Sequence, residues 1–198
     1  MAEMNAVSRF FVNRVKGRAN KRLYKWLTVY LPLPAGATCL EIGCGNGNMA
    51  ARIMDGMSPA SYVATDLDPR QLDAAKRYLA ERYPAGLPDG LELRTADMLH
   101  LLFTDGSFDA VFAFAAIHHA SPTHGDFTNV PRALTEIDRV LQPEGILAYE
   151  EFLHKDKIRL WLRDHRYQVI ASDKRWTREV VVARKPSAPS ERATQILA

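Results

Sequence analysis

The stretch that decides the fold is Thr38-Cys39-Leu40-Glu41-Ile42-Gly43-Cys44-Gly45-Asn46-Gly47, an apolar run that carries one acid and closes on three glycines at alternate positions. The run reads as a buried strand, and the glycines read as a turn whose bare backbone lets a ligand approach closely. Asn48-Met49-Ala50-Ala51-Arg52-Ile53-Met54 follows with helical character, so the unit is strand, tight turn, helix. Open α/β sheets make their nucleotide crevice in this way, at the carboxyl ends of the strands. Asn48 stands where a dinucleotide fingerprint places its third glycine, which argues against NAD or FAD. Glu41 lies inside the strand, where an unpartnered carboxylate is costly to bury, so it needs a cationic or hydrogen-bonding partner.

Glu41-Ile-Gly-Cys-Gly-Asn-Gly47 resembles motif I of the class I S-adenosylmethionine-dependent methyltransferases, and the resemblance extends from about residue 36 to about residue 185. It implies a Rossmann-like, doubly wound α/β domain with a mostly parallel seven-stranded sheet, helices on both faces and one antiparallel member in the last strand pair. It also implies that Gly43, Cys44, Gly45 and Gly47 pass under the methionine part of S-adenosyl-L-methionine, with Glu41 serving the amino end directly or through water.

Ser61-Tyr62-Val63-Ala64-Thr65-Asp66-Leu67-Asp68 reads as a second strand ending in acids. An acid some 20 residues beyond the glycine turn is placed to accept hydrogen bonds from ribose hydroxyls, and Asp66 fits. Leu67 then packs near the adenine, while Asp68 reads as the N-cap of a helix opened by Pro69 and running to about Tyr83. Leu91 to Asp97 alternates as a third strand. The resemblance matches Asp97 to the acid that meets the adenine amino group and Met98 to the residue against the ring; taken alone, Asp97 reads as a cap for the turn that follows.

Phe108 to Ile117 is too continuously apolar for a half-exposed strand and belongs at the sheet centre. It ends in His118 and His119. Side chains alternate along a strand, so at most one of the two faces the crevice if the strand continues that far. The resemblance makes this segment, Phe114 included, a lining of the cofactor and acceptor sites. A helix from Pro131 to Leu141, a turn at Gln142-Pro143-Glu144-Gly145 and a fifth strand from Ile146 to Glu151 come next. Lys155 to His165 reads as an amphipathic helix, and Tyr167 to Asp173 and Arg178 to Lys185 as two closing strands.

At 198 residues, with 47% apolar and 25% charged side chains, the chain has the composition of one globular domain with a sizeable core. Three parts are expected: a basic helical arm or lid over residues 1–35, the cofactor-binding domain over 36–185, and a flexible tail over 186–198. The net charge of +3 is unevenly spread. Residues 1–30 hold Arg9, Arg14, Lys16, Arg18, Lys21, Arg22 and Lys25 against Glu3 alone, which leaves 19 basic against 22 acidic groups in the remainder. The arm reads as two amphipathic helices divided near Gly17 and ended by Pro32 and Pro34. One reading makes it a cover for the sheet edge; the other makes it a contact for anionic lipid or RNA. Cys39 and Cys44 have settings too different for a bridge, and no Cys and His cluster has zinc spacing, so no metal is expected. No stretch approaches the roughly 18 apolar residues of a membrane span, and the expected location is the cytoplasm.

The expected chemistry is methyl transfer to an oxygen, nitrogen or carbon nucleophile of a small molecule or lipid head group, with S-adenosyl-L-homocysteine as product. His118, His119 and His124 are the candidate bases, with His118 and His119 the preferred pair. No Asn-Pro-Pro-Tyr motif or Pro-Cys pair marks a nucleic-acid base as acceptor. The competing class is a non-catalytic module that keeps the cofactor fold and uses its basic arm to hold RNA, membrane or a protein.

Overall fold

A computed structural model describes residues 19–121, 123, 125–175 and 177–188. Helix α1 (19–30) leads into β1 (Thr38–Ile42), α2 (Asn48–Met57), β2 (Ser61–Asp66), α3 (Pro69–Arg82), β3 (Leu91–Thr95) and β4 (Phe108–Phe114). A 3₁₀ turn (Ile117–Ala120), α4 (Val130–Val140), β5 (Leu141–Glu151), α5 (Lys155–Asp164), β6 (Gln168–Arg175) and β7 (Arg178–Arg184) complete it. The strands form one sheet in the order β3-β2-β1-β4-β5-β7-β6, with β7 antiparallel to both neighbours and the rest parallel. The order reverses between β1 and β4, and it is there that the glycine turn emerges.

Both faces are covered, which is why the central strands carry apolar residues without interruption. Along β4, Val111 and Ala113 point into a core shared with Val130, Leu134 and Ile137 of α4 and Ile158 and Leu162 of α5. Ala110 and Phe112 point into the opposite core, with Ile53 of α2, Leu79 of α3 and Leu23 and Leu27 of α1. Of the expected arm, residues 1–18, including Gly17, Arg9, Arg14, Lys16 and Arg18, lie outside the described residues. The expected tail lies outside them from residue 189 on.

Local signals are met where expected at α3: the Asp68 carboxylate accepts the Arg70 N–H, and Pro69 occupies the first turn, where its missing donor costs nothing. Two expectations are corrected. The fourth strand stops at Phe114 instead of running to Ile117, because Ala115 takes a left-handed conformation (φ 53°) while donating its N–H to Glu150 O, and the chain then coils into the 3₁₀ turn. Nor is Gln142 to Gly145 a turn ahead of the fifth strand. Leu141 already pairs with Phe108, and Ile146 pairs with Ala110, so the intervening residues bulge out within β5, with Glu144 left-handed.

Candidate active site

Parallel pairing brings the carboxyl ends of β3, β2, β1 and β4 side by side along one edge, and with them Asp97, Asp66, the glycine turn and Phe114. Gly43, Gly45 and Gly47 all have positive φ. At Gly43 the absence of a side chain is obligatory: a Cβ there would lie 2.7 Å from the Ala116 Cβ. Asp66 ties the turn to the end of β2, accepting the Gly45 N–H on Oδ2 at 2.9 Å and the Asp68 N–H on Oδ1 at 3.0 Å. Cys44 N–H reinforces the tie by donating to Thr65 O. A carboxylate has about four acceptor positions, so Asp66 keeps capacity for further donors.

Glu41 is buried, and its partner is Tyr62, whose hydroxyl donates to Oε2 at 3.0 Å. Burial pushes its carboxyl up to about 7; the Tyr62 hydrogen bond works against that rise, and the nearby Asp66 charge adds to it. A cation that joined it would favour the ionised form. Cys44 is a free, buried thiol pushed well up by burial, Glu41 and Asp66, which makes it a small packing residue and a poor nucleophile.

Asn48 opens α2 where a dinucleotide fold would place glycine, and its side chain explains the substitution. It donates to Tyr78 Oη at 2.8 Å on α3 and accepts from Arg52 Nε at 2.9 Å, with Asn20 of α1 at 3.4 Å. Asp97 accepts the Leu99 N–H at 2.9 Å in the turn after β3, Met98 is half-buried against the core beneath α4, and Leu67 is exposed just past the end of β2.

His124 lies outside the described residues, and His118 and His119 part company. His118 is buried in the 3₁₀ turn, its Nδ1 lies 2.8 Å from Glu151 Oε2, and its backbone N–H donates to Glu151 Oε1 at 3.3 Å. Its ring packs on Phe152 and on His119, which is exposed. Sequence reasoning missed Glu151 and Tyr62. Of the adjacent acids Glu150 and Glu151, periodicity alone does not tell which faces inward at the end of a strand, and Tyr62 meets Glu41 only through the lateral packing of β1 on β2. Among the described residues no group of three or more His, Cys, Asp or Glu side chains is disposed to hold a metal ion, and no helix is long and apolar enough to cross a membrane.

The fold and this edge define an open α/β protein of doubly wound type with a glycine turn at the switch point of the sheet. The methyltransferase-domain family matches residues 40–149, and the chain belongs to the class I S-adenosylmethionine-dependent methyltransferases. It is similar to the phthiotriol/phenolphthiotriol dimycocerosates methyltransferase of Mycobacterium leprae, with 34% identity over 144 residues, covering 73% of this chain and 48% of that protein. It is similar also to the 27-O-demethylrifamycin SV methyltransferase of Amycolatopsis mediterranei, with 35% identity over 135 residues, covering 68% and 46%. The chain therefore spans about half the length of these relatives. Among solved structures, the [4+2]-cyclase SpnF shares the fold with a TM-score of 0.70 at 19% identity, covering 84% of this chain and 81% of that one. That neighbour is named for a cyclisation, so the fold alone does not dictate the reaction.

Proposed function

We propose that this chain moves the methyl group of S-adenosyl-L-methionine to an oxygen, nitrogen or carbon nucleophile of a small molecule or lipid head group, by in-line displacement. The observation that carries the reading is Glu41, a buried carboxylate pushed up to about 7 beside a glycine turn packed so closely that a Cβ at Gly43 would meet Ala116. Such a carboxylate fits an ammonium partner. Glu41 would hold the amino end, Gly43, Cys44, Gly45 and Gly47 would line the methionine part, Asp66 would accept from the ribose hydroxyls, and Leu67, Asp97, Met98 and Phe114 would enclose the adenine side. The bound sulfonium supplies an already activated methyl group, so the protein contributes positioning and exclusion of water. The acceptors named for the two relatives, a phthiotriol or phenolphthiotriol dimycocerosate and a demethylrifamycin, support a small-molecule or lipid acceptor here.

Calorimetric titration with S-adenosylmethionine and S-adenosylhomocysteine tests the reading. The wild type should bind both, and Asp66→Ala should bind at least about tenfold more weakly, since it removes an acceptor of charge-assisted hydrogen bonds. Folded wild-type protein that binds neither compound would overturn it.

Where the acceptor must lose a proton, His119 is the base we propose, because it alone of the pair is exposed, and His118 orients it from the Glu151 anchor. His119→Ala should lower kcat and remove the acidic limb of its pH profile, whereas His118→Asn should lower kcat and leave that limb in place. Identical pH profiles for His119→Ala and wild type would exclude the role.

A second reading, contact with anionic lipid or RNA, is supported by the exposed Lys21, Arg22 and Lys25 on α1. Deleting the arm is a poor test, because Leu23 and Leu27 belong to the core. Reversing the three charges should abolish salt-sensitive retention by phosphatidylglycerol vesicles or RNA while cofactor binding persists. Retention unchanged by that reversal would leave α1 a purely structural cover.

A further inference from the structure

Helix α4 docks through an apolar face that is fully buried: Val130, Ala133, Leu134, Ile137 and Val140 all have 0% exposure. That face, with Asp138 bonded to Tyr167 and Lys185, attaches the helix to the sheet. The opposite side carries Arg132, Glu136 and Arg139, spaced four and three residues apart and so aligned along the helix. All three reach the segment between β3 and β4. Arg132 Nε donates to Leu99 O at 3.0 Å, and Glu136 Oε2 accepts the Leu101 N–H at 2.8 Å. Arg139 donates through Nη2 to Leu101 O at 2.6 Å and through Nη1 to Phe103 O at 2.8 Å and to Asp105 Oδ1 at 2.7 Å. Its Nε and Nη2 also clasp Glu136 at 3.0 and 2.9 Å, and its own carbonyl accepts the Gly106 N–H.

The segment gripped in this way has no regular strand or helix to satisfy its backbone. Four of its main-chain groups, Leu99 O, Leu101 N–H, Leu101 O and Phe103 O, take their partners from α4 side chains. These are charge-assisted bonds, the stronger kind. The Arg139 hydrogen bonds hold the Glu136 carboxyl below its ordinary range, and those of Glu136 and Asp105 push the Arg139 guanidinium up, so the pair stays ionised at any working pH.

Asp97 stands immediately before this segment and is held by it. Its Oδ1 accepts the Leu99 N–H, its carbonyl accepts the His100 N–H, and the next residue, Met98, packs on the core beneath α4. Leu99, whose N–H orients the Asp97 carboxylate, is held at its own carbonyl by Arg132, and Glu136 and Arg139 hold the chain that follows it at Leu101 and Phe103. We infer that Arg132, Glu136 and Arg139 are positioning residues that fix the Asp97 carboxylate and thereby set the preference of the crevice for adenine over a 6-oxopurine. The inference rests on the reading that Asp97 faces the purine of the cofactor. An ionised carboxylate accepts from a 6-amino group and repels a 6-oxo group, but it discriminates only if it cannot swing aside.

The test compares S-adenosyl-L-homocysteine with its deaminated analogue S-inosyl-L-homocysteine by calorimetry, on the full chain. The wild type should prefer the adenosyl compound by roughly 10- to 100-fold, the range expected for a hydrogen bond to a charged group. In Arg139→Met and in the milder Glu136→Gln that ratio should collapse toward one, and amide exchange over residues 99–103 should accelerate. A merely destabilised protein would lose affinity for both compounds in proportion and keep the ratio. Two results are decisive and distinct: an unchanged ratio in Glu136→Gln and in folded Arg139→Met overturns the positioning role, whereas a wild type that binds neither nucleoside overturns the cofactor reading itself.

Discussion

Glu41→Gln should make the protein more stable at alkaline pH and less able to bind its cofactor. The group has an ordinary value of 4.5 and is pushed up to about 7 in the folded chain, chiefly by burial. A carboxyl whose folded value is raised contributes stability that is fully present below the unfolded value and is lost as pH rises through the folded one. Wild type should accordingly lose about 3 kcal/mol from this site between pH 5 and pH 9, on the order of 1.4 kcal/mol for each pH unit that separates the folded from the unfolded value. Glutamine does not ionise and still accepts the Tyr62 hydroxyl, so the variant should pass through the same interval without that loss and melt several degrees higher at pH 9.

Affinity should move in the opposite sense. An ammonium beside Glu41 requires the carboxylate, so wild-type binding of S-adenosylhomocysteine should weaken below about pH 7, by up to about tenfold per pH unit, with proton uptake by the buffer revealing release from the protein. Glu41→Gln should bind roughly 10- to 100-fold more weakly at pH 8 and show no such release. Melting curves of the two proteins that superimpose from pH 5 to pH 9 would refute the burial argument. Equal affinity at pH 8 would remove Glu41 from the site.

Gly43→Ala should cost about 2–5 kcal/mol and eliminate cofactor binding, for two separable reasons. The left-handed backbone at φ 70° disfavours any side chain by about 1–2 kcal/mol, and the added methyl would lie 2.7 Å from the Ala116 Cβ in a packed contact. Ala116→Gly removes only the second cost. In a double-mutant cycle the two substitutions should couple favourably, with Gly43→Ala, Ala116→Gly regaining part of the stability while the conformational strain remains. Denaturant melts of the four proteins measure this. Additive effects would mean that the turn and the 3₁₀ segment move apart freely, and that the close approach of β1 and β4 places no limit on the crevice.

The same contact shows why parts of this site escape a reading of the chain. Gly43 announces itself by its place in an alternating glycine run, but the partner that forbids a side chain there is an unremarked alanine 73 residues on. The histidine pair is similar. As the end of an apolar run, His118 and His119 are equivalent, and only the left-handed Ala115, which takes the chain out of the strand, sends one ring to Glu151 and the other to solvent.

What the sequence by itself determined is local: the strand, glycine turn and helix at Thr38 to Met57, the Asp68 cap with Pro69, and a fourth strand buried on both faces. These follow from periodicity, backbone sterics and hydrogen bonds spanning a few residues, all of which are written in neighbouring positions. Tertiary structure alone decided which groups meet across the sheet. Tyr62 with Glu41, Glu151 with His118, and the α4 side chains with the segment after Asp97 depend on strand order and on pairing between residues dozens of positions apart. Such pairings are selected by the joint burial of both faces of the sheet, a property of the folded chain that no single stretch contains.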